Sequence, residues 1–476
     1  MKNKYTNLLS NTALFFISTF SSKFLVFLLM PIYTAVLAPE EFNVTDMVIK
    51  AANLLIPMVS LGIPNGIIRF GLDEKYPKKG VFTVAAFTYV IGYVILLVCY
   101  PVIIRVTYIS EYVKYLYLYL FCSCLRTLVQ QFTRAKAYTR LYAIDGILAT
   151  VTTLLFVYIY LVRMRMGAMG YILAIITSDF LSFAFLSVMS GAFRYFSPKA
   201  AKMELFREMW RFCLPLIPTG VFWWITNASD VYLVRYFVSR SVAGIYGISY
   251  KIPSIVNLFS TVFTEAWQIS AVQEGAQKDP GDFFKNVFKA YQGIIFMAGA
   301  GLILICRPLV SIMTDEAYYE SWRFIPVLIM ATVFSCFSSF LSSIYMVQKN
   351  GTANLITMMA GALSNIAMNM YLIPRYSAQG AAIATFISYL LVFTLRALGT
   401  RKFINVDVSP LFMTFNVLLM GRLSYVMVRE VNYWIPIAIA LGAVIIAVNF
   451  MPLFRFMWPV AKKILNRRKG ARAEEA

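Results

Sequence analysis

Eight ionisable side chains stand inside stretches of this sequence that are otherwise apolar: Lys23, Asp46, Lys50, Arg126, Asp179, Asp230, Lys251 and Glu265. A charge at the centre of a hydrocarbon layer costs ~2.5–3.5 kcal/mol on insertion scales. Such residues therefore face a bundle interior or a wet cavity, and they mark sites of function. Lys23 (flanked by Ser21 and Ser22), Arg126 and Lys251 fall mid-segment, where snorkelling to the interface does not readily rescue a charge. With Lys50 they form a set of candidate cations for an anionic ligand. Asp46, Asp179, Asp230 and Glu265 are the interleaved acids, suited either to bind a coupling Na+ or H+ or to neutralise the cations. Asp46 and Lys50 are four apart, hence on one helix face and able to pair. For Asp46 and Asp230, near segment ends, an interfacial position is an equal alternative. Asp145, at a segment end, reads as interfacial.

Other chemistry is poorly represented. The chain has no histidine, which removes the usual general base and the commonest metal ligand. It has no GxxxxGK[ST] loop for nucleotide phosphates. The six cysteines all lie in apolar segments, and Cys122 and Cys124, two apart, point to different faces of a helix. They read as buried thiols, and neither a disulfide nor a metal site is expected. No cofactor is expected beyond a coupling Na+ or H+.

The elements that must position these charges are membrane helices. Apolar blocks of about 20 residues, the length that crosses a bilayer, recur from Leu8 to Pro459 with short basic or turn-rich breaks between them. A helix spans lipid because it satisfies its own backbone hydrogen bonds. Hydrophobic residues make up 60% of the 476 and charged residues 14%, below the ~25% charged of a soluble domain. The net charge of +21 reflects basic loops that orient helices, and nucleic acid is not an expected partner.

The spacing predicts an all-α polytopic membrane protein of about fourteen transmembrane helices, in two pseudo-symmetric six-helix lobes plus two C-terminal helices. The expected organisation is a first lobe over 1–193, a cytoplasmic amphipathic linker over 194–211, a second lobe over 212–400, two further helices over 401–456 and a basic tail over 457–476. In the linker, Met203, Phe206, Met209, Trp210 and Cys213 recur at helical spacing, as in a helix lying in the interface. An even count puts both termini on one side. Both are basic, with Lys2 and Lys4 at the start and Lys462, Lys463, Arg467, Arg468, Lys469 and Arg472 at the end. The positive-inside rule makes them cytoplasmic. The long apolar N-terminal run reads as the first span, not as a cleaved signal. Gly62-x-x-x-Gly66 and Gly299-x-Gly301 allow close helix packing, within one chain, and a monomer is expected.

Several stretches resemble one family. They are Asn11-Thr12, Phe15-Phe16-Ile17, Ser22-Lys23, Pro31-Ile32-Tyr33-Thr34 and Leu37-Ala38-Pro39-Glu40-Glu41-Phe42, then Gly62 and Gly66-Ile67-Ile68-Arg69-Phe70. Ser229-Asp230, the run Ala243-Gly244-Ile245-Tyr246-Gly247-Ile248-Ser249-Tyr250-Lys251-Ile252-Pro253 and Ala266-Trp267 continue the pattern. Together they resemble Wzx-like oligosaccharide-lipid flippases of the multidrug/oligosaccharidyl-lipid/polysaccharide exporter superfamily. Asn43-Val44 departs from the family, which usually has a glycine after the turn. The resemblance implies a V-shaped pair of helix lobes in the bacterial cytoplasmic membrane. It also implies transport of an undecaprenyl-pyrophosphate-linked oligosaccharide to the outer leaflet for surface polysaccharides such as lipopolysaccharide. The implied partners are this lipid-linked substrate, membrane lipids and polysaccharide assembly proteins. Lys23, Lys50, Arg126 and Lys251 suit the pyrophosphate.

Two other functions compete. A cation-coupled multidrug exporter of the same superfamily predicts a cavity of acids and aromatics, against which the buried cations argue. A membrane-embedded polymerase or acyltransferase is opposed by the missing histidine and the short outer loops. The chain is thus expected to be a transporter, not an enzyme.

Overall fold

The computed structural model describes residues 27, 29–73, 75–105, 110–136, 138–275, 281–348, 350–404, 406–451 and 453–454. Lys23 and the tail 457–476 lie outside them. The described residues are helical nearly throughout. We label α1 Pro39–Val59, α2 Ile63–Gly71, α3 Lys78–Val98, α4 Val113–Ala135, α5 Thr139–Val157, α6 Gly167–Ser190, α7 Met203–Cys213, α8 Leu216–Phe237 and α9 Arg240–Ser249. After these come α10 Ser254–Gly275, α11 Gly281–Met313, α12 Ile325–Val347, α13 Gly351–Thr400 and α14 Pro410–Arg429, and α15 Trp434–Met451.

Nine helices among the described residues are long and apolar enough to cross a membrane. One of them, α13, contains two spans. Ser377 interrupts it at φ 54°, ψ −146°, a conformation almost confined to glycine. Contacts then pair its halves in reverse order: Arg396 Nε with Thr357 Oγ1, Gly361 with Val392, Asn365 with Thr385 and Gly380 with Leu372. The element is an antiparallel hairpin turned by a single residue. Helices α4, α8 and α10 have spanning length, at 23, 22 and 22 residues, but tyrosine, serine, asparagine and glutamine dilute their hydropathy. The expected first span lies mostly outside the described residues. The protein is an all-α, multi-pass membrane protein.

The helices group into two compact units. One runs to Gly247 and includes Met313–Tyr318; the other holds Ile248–Ile312 and the chain from Tyr319 onward. In this grouping α8 and most of α9 pack with the N-terminal helices. Trp224 Nε1 donates to the Lys50 carbonyl at 2.7 Å, and Tyr232 Oη donates to the Met47 carbonyl at 2.7 Å. Gly244 lies so close to Pro39 that a Cβ there would collide with the Pro39 backbone.

In the first unit, α1 starts where Pro39 needs no N–H partner and Glu40 and Glu41 complement the helix dipole; Glu41 also accepts the Ala38 N–H at 3.2 Å. It stops at Ser60-Leu61-Gly62, where Gly62 takes φ 69°. A Cβ on Gly62 would meet the Cys213 carbonyl oxygen at 2.8 Å, and one on Gly66 would meet Cys213 Sγ at 2.7 Å. The expected glycine pair thus brings α2 against α7. The expected interfacial helix is present as α7, but its buried face is Leu205, Met209 and Cys213, turned onto the protein. Met203 is exposed, and Trp210 Nε1 donates to Thr88 Oγ1 at 3.0 Å. Of the second expected glycine pair, only Gly299 packs closely, against Val333 and Met420 in the second unit. Five cysteines are buried as expected. Cys99 is exposed, at the C-terminal end of α3, whose last turns face outward.

The second unit is centred on aromatic rings. Trp267 stacks on Phe340 at 4.6 Å and donates Nε1–H to Ser343 Oγ at 2.7 Å, so α10 and α12 are joined by ring contact and hydrogen bond together. Phe340 also meets Phe288 of α11 at 5.1 Å. At the other end of α11, the Arg307 guanidinium lies between the rings of Trp322 and Trp434, 3.7 and 4.3 Å from their centroids. Glu430 completes its coordination, tying the C-terminal pair α14–α15 to α11. Phe340→Ala removes a fully buried ring shared by three helices and should cost about 3–5 kcal/mol. A lowered thermal transition of the detergent-purified protein is the expected result; an unchanged one would show that this cluster does not hold the unit together.

Candidate functional site

The sequence-expected charges in the first unit form two polar clusters. The larger is built by α4, α5 and α6. Ser123, Arg126 and Gln130 follow one another at three- and four-residue steps and therefore share a face of α4. Asp179 and Ser182 do the same on α6, and Asp145 faces them from α5. Arg126 Nη1 binds Asp179 Oδ1 at 2.6 Å, and Nη2 lies 3.6 Å from Asp145 Oδ2. Ser123 donates to Asp179 and Ser182 to Asp145, and Gln130 Nε2 donates to Asp145 at 3.0 Å.

Asp145 is fully buried, which corrects the interfacial reading: the guanidinium and two side-chain donors replace the water it would have had at a helix end. Beside it, Thr152, Thr153 and Ser178 share hydroxyl hydrogen bonds around the Ala149 carbonyl, so α5 and α6 are held by polar contacts along their length. Two carboxylates around one guanidinium leave one surplus negative charge when both are ionised.

The second cluster is built by α1, α8 and α9. Asp46 and Lys50 pair as their spacing predicts, at 2.9 Å, with side chains only 8% and 15% exposed. A Cβ on Gly247 would lie 3.0 Å from Asp46 Oδ2, so glycine lets α9 close over the pair. Asp230 is fully buried and accepts from Tyr246 Oη at 3.0 Å and from the Val231 N–H at 2.9 Å. Both acids are thus covered by neighbouring helices. Arg235, buried on α8, donates to Asn43 Oδ1 at 3.0 Å and contacts Met47 Sδ at 3.1 Å. Asn43, the departure from the family pattern, thus has a use: its amide oxygen accepts a hydrogen bond from this buried cation.

The remaining expected residues are not brought into these clusters by the described contacts. Lys251 belongs to the second unit and is partly buried. It stands in the break between α9 and α10, where its N–H donates to Ile248 and its carbonyl accepts from Ser254 Oγ at 2.5 Å. Interrupted helices of this kind supply binding groups at mid-membrane in transporters. Glu265 stands on α10, and its side chain is outside the described part. Sequence reading passed over Arg235 and Arg396. Arg396 is buried in the second unit with only neutral partners among the described residues: the Ser338 carbonyl, Asn354 Oδ1 and Thr357 Oγ1 at 2.8, 2.6 and 3.1 Å. Its position inside an otherwise apolar stretch of the sequence is the available signal.

Comparison with known proteins follows the same lines. Residues 32–323 match the model of a family described as "Polysaccharide biosynthesis protein". The sequence matches none of the curated protein sequences. Among solved structures, the lipid II flippase MurJ in an inward closed conformation is similar with a TM-score of 0.71 at 14% identity, covering 94% of this chain and 99% of that one. A multidrug resistance MATE family transporter of the MOP superfamily, inward-facing, gives 0.66 at 13% identity over 80% and 95%. An outward-facing structure of such a transporter gives 0.61 at 14% identity over 86% and 97%. At these identities the likeness is one of fold.

The paired charges make a stability prediction. Arg126→Ala leaves Asp145 and Asp179 facing each other without their cation and should destabilise the protein by about 3 kcal/mol. Adding Asp179→Asn should recover part of the loss, because one surplus charge goes with it. Thermal unfolding of the single and double variants checks this; a double variant less stable than Arg126→Ala would contradict the surplus-charge reading.

Proposed function

Because the chain belongs to the polysaccharide biosynthesis protein family and has the fold of MOP-superfamily transporters, we propose that it is a flippase whose cargo is an undecaprenyl-pyrophosphate-linked oligosaccharide. It works by alternating access, as a monomer in the bacterial cytoplasmic membrane with both termini on the cytoplasmic side. The observation that carries this reading is that Lys50 and Arg126 are held inside the helix bundle by carboxylates. A pyrophosphate can take over a cation from such a pair, so the cation is never left buried alone. Lys251, in a helix break, offers an ammonium without disturbing a helical ladder.

The same exchange supplies a route to coupling. When an aspartate takes a proton or Na+, its hold on the neighbouring cation weakens and the phosphate gains a partner. The two-acid, one-cation cluster of Asp145, Arg126 and Asp179 favours this reading. It also keeps a second function in play, a cation-coupled drug exporter, which would be driven by the same acids but would have no use for Lys251.

Lys251→Ala should abolish glycan export while the protein still accumulates in the membrane, and Lys251→Arg should keep part of the activity, since charge survives without the same geometry. Full export by the alanine variant would remove this lysine from the transport path. In proteoliposomes, an imposed Na+ or pH gradient should change the transport rate, and Asp179→Asn or Asp230→Asn should flatten the response. Gradient-independent transport by the unmodified protein would sink the coupling reading and leave the flippase reading intact.

A further inference from the structure

Two adjoining pockets of about 340 and 510 Å³ open where the C-terminal end of α2 meets α7, and they share Arg69 and Phe212 in their walls. The first is completed by Phe70, Tyr76, Glu208 and Arg211, the second by Asn65, Ile68, Leu72 and Asp73. Their depth in the membrane follows from the chain. The spanning helix α3 begins at Lys78, so Asp73 and Tyr76 stand at the boundary between water and lipid. Leu72 and Phe212, exposed by 57% and 40%, are apolar surface at that same level, and α7 beside them is the amphipathic element of the chain.

The polar groups are open to exchange. Arg211 makes no hydrogen bond or ion pair among the described residues. Arg69 and Asp73 lie 3.5 Å apart, with Arg69 exposed and Asp73 half-buried, a contact of little energetic weight. Glu208 accepts a hydrogen bond from Tyr76 Oη at 2.7 Å, which fixes its carboxylate at the pocket wall. The walls thus offer two guanidinium groups and two carboxylates around an aromatic floor, where Phe70 meets Tyr76 and Phe212 edge-on at 4.9 and 6.0 Å.

We propose that this double pocket binds a phospholipid whose headgroup carries both a phosphate and a primary ammonium, a phosphatidylethanolamine. The guanidinium groups of Arg69 and Arg211 take the phosphate, and the carboxylates of Asp73 and Glu208 take the ammonium. Ile68, Leu72 and Phe212 line the start of the acyl chains. The balanced charge of the walls selects this class. A headgroup with only a phosphate leaves the two carboxylates opposed, and a quaternary ammonium has no N–H to give them. A lipid held here bridges α2 to α7, next to the Gly62 break. The proposal is independent of the transported cargo.

The test uses the full-length protein and native mass spectrometry from micelles containing equal amounts of palmitoyl-oleoyl phosphatidylethanolamine, phosphatidylglycerol and phosphatidylcholine. Retention of phosphatidylethanolamine about tenfold above the other two is expected, from the added charge-assisted hydrogen bonds. Arg69→Gln with Arg211→Gln should abolish that retention. Asp73→Asn with Glu208→Gln should invert the preference towards phosphatidylglycerol. Both double variants replace exposed or half-buried side chains, and unchanged thermal transitions in lipid-free detergent would confirm folding. Free phosphoethanolamine should not displace the lipid, because it lacks the acyl chains. Equal retention of the three lipids, a preference untouched by both variants, or displacement by free phosphoethanolamine would each overturn the proposal.

Discussion

Inside this helix bundle there is no solvent to share a charge with, so every buried ion must be matched by another group of the protein. That constraint accounts for much of how the first unit is assembled. Arg126 draws α5 and α6 to α4 because both carboxylates need the same guanidinium. Lys50 and Asp46 pair on one helix, and the Lys50 and Met47 carbonyls of that helix receive Trp224 and Tyr232 from α8. Apolar contact alone could hold these helices in several registers, since lipid is as apolar as the residues that face it. Specific hydrogen-bonded ion pairs narrow the choice.

The two units answer the constraint differently. The first uses buried ion pairs, and the second uses aromatic stacking around Phe340, a buried arginine held by neutral acceptors and another held by two indoles beside the exposed Glu430. Arg396 rests on a carbonyl, an amide and a hydroxyl, and Arg307 rests between two indoles.

What the sequence made legible was local. The presence of spanning helices, the Asp46–Lys50 pair and the glycines at α2 all follow from spacing within one helix. The partnership of Arg126 with Asp179 joins residues 53 positions apart, and no periodicity connects them. Asp145 was misplaced because its position near a helix end was weighed without the neighbouring helix that covers it. For α7 the amphipathic pattern was visible, but a pattern names an apolar face without saying whether lipid or protein lies against it. The packing of α8 on α1 rests on hydrogen bonds between residues far apart in the chain, which no break in hydropathy marks.

The hairpin within α13 has a consequence for how this protein can change over time. Most surface connections in a helical protein absorb length variation, because a loop takes up an extra residue with little effect on what it joins. Ser377 leaves no such slack. Adding or deleting one residue there would turn one arm about 100° around its own axis relative to the other. The polar faces of Asn354 and Thr357 would then swing away from Arg396, taking two of the three acceptors of its buried guanidinium. This tip should tolerate substitution but resist insertion, deletion and epitope tagging, so its length is set by chemistry at the opposite end of the same two helices.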